Sequence, residues 1–271
     1  MNNFWMRTFT GILFVSTMIG CIWWSYYTLG LLFMVIIILG LWEFYLLINQ
    51  HTTYSVNKFM GVITGASILL SFFLYIYLKN EKFLLVQLPF IFTCFFIELL
   101  SKKANSMINL SIQLGGLIYI ALPFSLLIFI AHTPESFGYS PHLLMSFFLL
   151  VWTNDTFAYL TGRSLGKHKL FERISPKKTW EGTIGGTIFS MITAFIIGYY
   201  MGILETYEWG VLALLVSITA TCGDLVESSF KRSLNIKDSG NILPGHGGIL
   251  DRFDGVLLAA PFAVTYILLI L

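Results

Sequence analysis

The sequence predicts an all-α, polytopic integral membrane protein with about nine transmembrane helices and a cytoplasmic N-terminus. Three observations predict it. Of 271 residues, 56% are hydrophobic and only 11% are charged, against roughly 25% charged in a soluble domain. The apolar residues gather into runs of about 20, the length of helix that crosses the hydrocarbon core of a bilayer. Lys and Arg are unevenly distributed among the loops, as the positive-inside rule requires.

Taken in order, the spans fall near residues 9–27, 29–48, 59–78, 83–100, 107–131, 143–161, 183–202, 209–227 and 255–271. Almost nothing separates the first two, so a tight hairpin joins them. Arg7 precedes an apolar run without a small-residue cleavage pattern, and the first span is expected to be retained. Pro89 and Pro123 lie inside spans, where each can kink its helix. With the N-terminus inside, Arg7, Lys58, Lys102 and Lys103 face the cytoplasm, and so do the basic residues of two larger polar segments, 162–182 and 228–254. Lys79 and Lys82 fall outside. Cys21, Cys94 and Cys222 are scattered through apolar surroundings and read as small core hydrophobes, with no disulfide framework or metal cluster.

The two halves differ in character. Residues 1–140 carry short loops and read as transmembrane scaffold. Residues 141–271 form the transmembrane catalytic region, with both polar segments. Between Ser228 and Asp254 the chain reads SSFKRSLNIKDSGNILPGHGGILDRFD. Charge inside a membrane protein is costly, so so dense a polar block marks a functional site. Lys231, Arg232, Lys237 and Arg252 can hold phosphates, while Asp238, Asp251 and Asp254 can hold a hard cation. That pairing points to phosphoryl or nucleotidyl transfer, where catalysis consists mostly of positioning and charge neutralisation.

Each group also has a plainer reading. Asp224, Glu227, Ser228 and Lys231 recur at i, i+3, i+4 and i+7 and share one helix face. Asp224 is then either half of a helix-end ion pair or a metal ligand, with Asp251 as the second carboxylate. Asp251 and Asp254 can cap the last helix, whose N-terminus is equally a phosphate site. Gly245, Gly247 and Gly248 allow backbone N–H groups to approach an anion closely, and His246 can add a hydrogen bond. Lys231 and Arg232 can snorkel to lipid headgroups instead, and Lys237–Asp238 can be a solvated turn. In the earlier segment, Lys177 and Lys178 of SPKKTWEG satisfy the positive-inside rule without any substrate. Asp155, beside Asn154 within an apolar span, is expected to face a polar cavity. Glu43 and Glu98 are also intramembrane acids, for which interhelical hydrogen bonding suffices.

The polar block resembles the signature of phosphatidate cytidylyltransferases, the CDP-diacylglycerol synthases. The resemblance rests on Ser228, Phe230, Lys231 and Arg232, then Lys237 and Asp238, Gly240, Leu243 and Pro244, His246, Gly247 and Gly248, and finally Asp251, Arg252 and Asp254. It extends to Asn154–Asp155 and to the run from Ser175 to Gly182. The resemblance implies transfer of CMP from CTP to phosphatidate, giving CDP-diacylglycerol and pyrophosphate for phospholipid synthesis. It implies a catalytic set of Asp224, Asp251, Lys231, Arg232 and Arg252. Asp155, Lys177, Lys178, Ser228, Lys237, Asp238, His246, Gly247, Gly248 and Asp254 would bind substrate. Asp224 and Asp251 would hold Mg2+, with room for a second cation. The implied partners are CTP, phosphatidate and the lipid bilayer, with no nucleic acid. A homodimer stays open. The site would lie on the cytoplasmic side of the cell's inner membrane. Two other classes compete. A CDP-alcohol phosphotransferase would carry an Asp-Gly-x-x-Ala-Arg motif, which is missing. An ion-coupled transporter would place Asp155, Asp224 and Glu227 near the midplane, whereas the basic block sits at one face.

Overall fold

Capping chemistry sets the first helix boundary. Ser25 alone interrupts the helix between α1 (Asn3–Trp24) and α2 (Tyr26–His51). Its hydroxyl accepts from Thr28 N at 3.2 Å, and its own N–H donates to Thr28 Oγ1 at 3.1 Å. This reciprocal box satisfies the donors that a new helix start leaves open. The structure is a computed structural model that describes residues 3–103, 105–133, 138–240 and 247–271, with side chains from residue 8 onward. His246, with Leu243, Pro244 and Gly245 of the signature, lies outside the described residues.

The chain continues through α3 (Lys58–Leu78), a 3-10 turn (Glu81–Leu85), α4 (Gln87–Leu100), α5 (Ser106–Gly116), a π-helical turn (Leu117–Ala121) and α6 (Leu122–Ile130). Then follow α7 (Pro141–Leu165), the strands β1 (Lys169–Phe171) and β2 (Ser175–Thr179), α8 (Trp180–Met201), α9 (Thr206–Ser233) and α10 (Leu250–Ile270). Eight of these stretches are long and apolar enough to cross a membrane, and α1 contributes the shorter apolar segment Thr8–Trp24. The all-α class is confirmed.

Three local features differ from the sequence reading. Pro89 does not kink a long span. It sits in the first turn of α4, where a missing N–H costs nothing. Near Pro123 the backbone widens into the π-helical turn just before α6, where the proline interrupts the hydrogen-bond ladder. The segment between α7 and α8 is an antiparallel β1–β2 hairpin rather than a plain polar loop. Of the cysteines, Cys94 is buried as expected, whereas Cys21 is half-buried and Cys222 exposed.

The core runs along α2, α6, α7, α9 and α10, around fully buried Phe33, Leu41, Phe124, Phe147, Val216 and Leu257. Lipid supplies no hydrophobic drive between helices, so tight association depends on small residues. Two helix pairs use them here. A Cβ on Gly182 or Gly186 of α8 would press on the carbonyls of Ala158 and Asn154 in α7. A Cβ on Gly223 of α9 would overlap the Asp254 carbonyl of α10. The outer faces of α4 and α8 expose Phe92, Phe96, Leu99, Ile188 and Ile196, which suit a lipid environment.

Candidate active site

Close packing of α7 on α8 and of α9 on α10 brings the acids of three helices together. Asp155 projects from α7, Asp224 from α9, and Asp254 from the first turns of α10. They lie near enough to feel one another's charge. All three line a cavity of about 870 Å³, together with Asp251, Arg252, Lys177 and Lys178. The expectation that Asp155 faces a polar cavity is met. Thr10 and Phe14 of α1 and Trp152 of α7 belong to the same wall, the two aromatic rings forming its apolar part.

Asp224, Asp251 and Asp254 have defined partners. Asp224 Oδ2 is 2.5 Å from Lys178 Nζ, and its Oδ1 accepts from the Ser228 hydroxyl at 3.2 Å. Lys178 is delivered by β2, one residue before Thr179, whose side chain caps α8 by accepting from Gly182 N at 3.2 Å. Asp254 Oδ1 accepts from Gly255 N at 2.8 Å. Lys231 lies 2.7 Å from Asp251 Oδ1 and 2.5 Å from Glu227 Oε2, so one ammonium serves two carboxylates. The shared helix face of Asp224, Glu227, Ser228 and Lys231 is therefore real, but Lys231 pairs with Glu227 and Asp251 while Asp224 takes Lys178. Asp251 Oδ2 accepts from Ser239 N at 3.0 Å, the Ser239 hydroxyl at 2.9 Å and Gly248 N at 2.9 Å.

Other expected residues lie away from the cavity wall. Arg232, Lys237 and Asp238 are exposed, and Arg232 donates to the Ile236 carbonyl at 3.2 Å. Gly247 has a φ of 85°, a left-handed conformation that favours glycine. The N–H of Gly248 donates to Asp251, so this one donor of the backbone cradle expected for an anion already faces the protein's own carboxylate.

Several contributors escaped the sequence reading. Arg163 and Lys169 line the cavity, although they read only as topology charges. Arg163 follows Asp155 and Tyr159 at intervals of four, so a helical-face count along α7 could have found it, and it donates to the Tyr159 hydroxyl at 3.4 Å. Tyr119 sits in the π-helical turn, a feature that recurs at functional sites. Its buried hydroxyl has no hydrogen-bond partner among the described residues and feels the charges of Glu227, Asp254 and Asp224. Glu98 behaves as expected, accepting from Asn109 Nδ2 across the α4–α5 contact at 3.0 Å. Glu43 also bonds between helices, but its carboxylate accepts from backbone N–H groups at the start of α10 rather than from a helix side chain.

The arrangement combines an acidic wall with a basic rim of Arg163, Lys169, Lys177, Lys178 and Arg252, next to apolar residues. It can hold polyanions and a cation while admitting an apolar group. Over 154 residues, 54% of this chain and 64% of the relative, the sequence is 46% identical to a phosphatidate cytidylyltransferase of Rickettsia bellii (strain RML369-C). It is 40% identical over 178 residues, 65% of each chain, to a phosphatidate cytidylyltransferase of Staphylococcus haemolyticus (strain JCSC1435). It is 42% identical over 164 residues, 60% of each chain, to that of Staphylococcus aureus (strain COL). The matched stretches thus span somewhat less than two thirds of these relatives. The profile of the cytidylyltransferase family matches residues 5–270, nearly the whole chain including both polar segments, and the chain belongs to that family.

Proposed function

We propose that this protein is a phosphatidate cytidylyltransferase that transfers CMP from CTP to phosphatidate, releasing CDP-diacylglycerol and pyrophosphate. The observation that carries the reading is the single cavity that joins the acidic wall, the basic rim and the apolar residues of α1 and α7. The family membership and the names of the relatives support it.

In this reaction an oxygen of the phosphatidate phosphate attacks the α-phosphorus of CTP. A new P–O bond forms, the bond to the β-phosphate oxygen breaks, and pyrophosphate leaves with the electron pair. A phosphate monoester has a second pKa of about 6, so the nucleophile is largely ionised near neutral pH and no strong general base is needed. The demand is to hold two anions together against repulsion. Lys177, Lys178, Arg163, Lys169 and Arg252 are placed to offset phosphate charge. Phe14 and Trp152 offer an apolar surface to the glycerol and acyl part of the lipid.

A divalent cation is part of this proposal. Among the described residues no three acidic, His or Cys side chains form a ready-made cage. Magnesium, however, is commonly held by one or two carboxylates together with substrate phosphates. Asp224 and Asp251 fit that mode. Each lines the cavity; Asp224 keeps lone-pair capacity on both oxygens beside Ser228 and Lys178, and Asp251 keeps it on Oδ1 beside Lys231, its Oδ2 being filled by Ser239 and Gly248. Bound there, the cation would neutralise developing charge on phosphate oxygens. The Lys and Arg asymmetry of the loops supports a cytoplasmic site in the cell membrane, the side on which CTP is found.

The test is direct. Purified protein in detergent, given phosphatidate, CTP and magnesium, should release pyrophosphate and CDP-diacylglycerol in equal amounts. Folded protein that forms neither across a range of magnesium and lipid concentrations would overturn the reading.

A further inference from the structure

Glu43 lies within the apolar helix α2 and is only 3% exposed. A carboxylate there is costly unless it is compensated. Its compensation comes from the opposite end of the chain. Oε2 accepts from Ile249 N at 2.9 Å, and Oε1 accepts from Leu250 N at 3.2 Å. Ile249 is the N-cap of α10 and makes no capping hydrogen bond with its own side chain. A helix start leaves N–H groups unpaired and carries partial positive charge, which a carboxylate satisfies. The anion-binding place at the head of α10 is thus filled by a side chain of α2.

The contact continues into the cavity. The Ser239 hydroxyl bonds to Glu43 Oε1 and also lies 2.9 Å from Asp251 Oδ2. Gly240 and Gly248, which flank residues 241–246, both pack on the Glu43 carboxylate, and a Cβ on Gly248 would overlap it and the Ser239 hydroxyl. Glu43 therefore holds the chain on both sides of that stretch. Through Ser239 and Gly248 it also fixes Oδ2 of Asp251, whose Oδ1 faces Lys231.

We propose that Glu43 is a positioning residue of the nucleotidyl-transfer site. It sets the start of α10 and the aim of Asp251 without touching substrate. The inference rests on the cytidylyltransferase reading for its kinetic consequence but not for its structural one.

The experiment compares wild type with Glu43→Gln and, as a control for a buried amide, Glu98→Gln. Glu98 is equally buried, and neither it nor its partner Asn109 lines the cavity. In Glu43→Gln an NH2 group must face one of the donors that the carboxylate now accepts. Amide exchange of a peptide spanning residues 247–251 should accelerate by about 10-fold or more, because hydrogen bonds to a charged acceptor are lost. Turnover per folded molecule should fall by about 10-fold or more, with the KM for CTP changed by no more than about 2-fold, as expected when only transition-state alignment suffers. Glu98→Gln should alter neither. Unchanged exchange at 247–251 in Glu43→Gln would overturn the clamp, and unchanged kcat per folded molecule would overturn its role in positioning. Should wild type itself release no pyrophosphate from CTP and phosphatidate, the functional reading fails, while the exchange measurement still decides whether Glu43 holds the head of α10.

Discussion

Lys231→Met removes the one ammonium placed between two buried carboxylates. Lys231 is 14% exposed, Glu227 1% and Asp251 10%, with contacts of 2.5 and 2.7 Å. Methionine keeps most of the side-chain volume, so the loss is chiefly electrostatic. Removing one partner of a buried pair typically costs about 3–5 kcal/mol, because the remaining charge is left uncompensated. Here two acids are left facing each other, which places the expected loss towards the upper part of that range. For a chain of this size it corresponds to a drop in Tm of roughly 6 °C or more. Glu227→Gln in the same background restores the original net charge of the group and should recover part of the loss, on the order of 1–2 kcal/mol. The assay is unfolding in mixed micelles for wild type, both single variants and the double variant. If the double variant's loss equalled the sum of the single losses within about 0.5 kcal/mol, the three groups would not be coupled and the shared-ammonium reasoning would be refuted.

Asp224→Asn and Asp251→Asn should each lower turnover by about 100-fold or more at limiting magnesium while the protein stays folded, as removal of a charge-stabilising group does; near-normal activity in either would remove that residue from the metal proposal. Gly223→Val should cost about 1–3 kcal/mol by forcing α9 from the Asp254 carbonyl, and should reduce turnover by separating Asp224 from Asp254, as melting and kinetics together would show. With the native cysteines replaced, Lys237→Cys should resist an impermeant thiol reagent in intact cells while Glu205→Cys is labelled. The opposite pattern would reverse the orientation.

The spans were legible because lipid leaves the backbone one economical way to satisfy its polar groups, and about 20 apolar residues in a row announce it. The acids of α9 and α10, with Lys231, Lys177 and Lys178, were legible for the complementary reason, since charge is rare in so apolar a chain. What escaped notice depends on contacts distant in sequence. Glu43 and Ser239 are 196 positions apart, and nothing around Glu43 in α2 hints at its partner. The β1–β2 hairpin comprises strands of 3 and 5 residues, too short for an alternation signal to stand out against the lysines. Arg163 and Lys169 were hidden by an adequate explanation, because the positive-inside rule accounts for any basic loop residue and so conceals those that also face a cavity. The glycines were read as an anion cradle from their place before the last helix, which cannot show that Asp251 already occupies the Gly248 donor.

The contacts of Glu43 alter how the two halves relate. Residues 1–140 supply Thr10 and Phe14 to the cavity wall, Tyr119 to the vicinity of the acids and Glu43 to the head of α10. The chemistry-bearing side chains of the second half are thus aimed by the first. This follows from the cost of charge in a low-dielectric setting. Four acids gathered on one wall repel one another, and each needs a fixed donor or cation to stay in place before substrate arrives. Lys178 serves Asp224, while Lys231, Ser239 and Gly248 serve Asp251. Ser239 and Gly248 are themselves held against α2. For the proposed reaction, preorganisation of this kind would let the site meet two phosphates without rearranging at the moment of reaction, which is where electrostatic catalysis gains most.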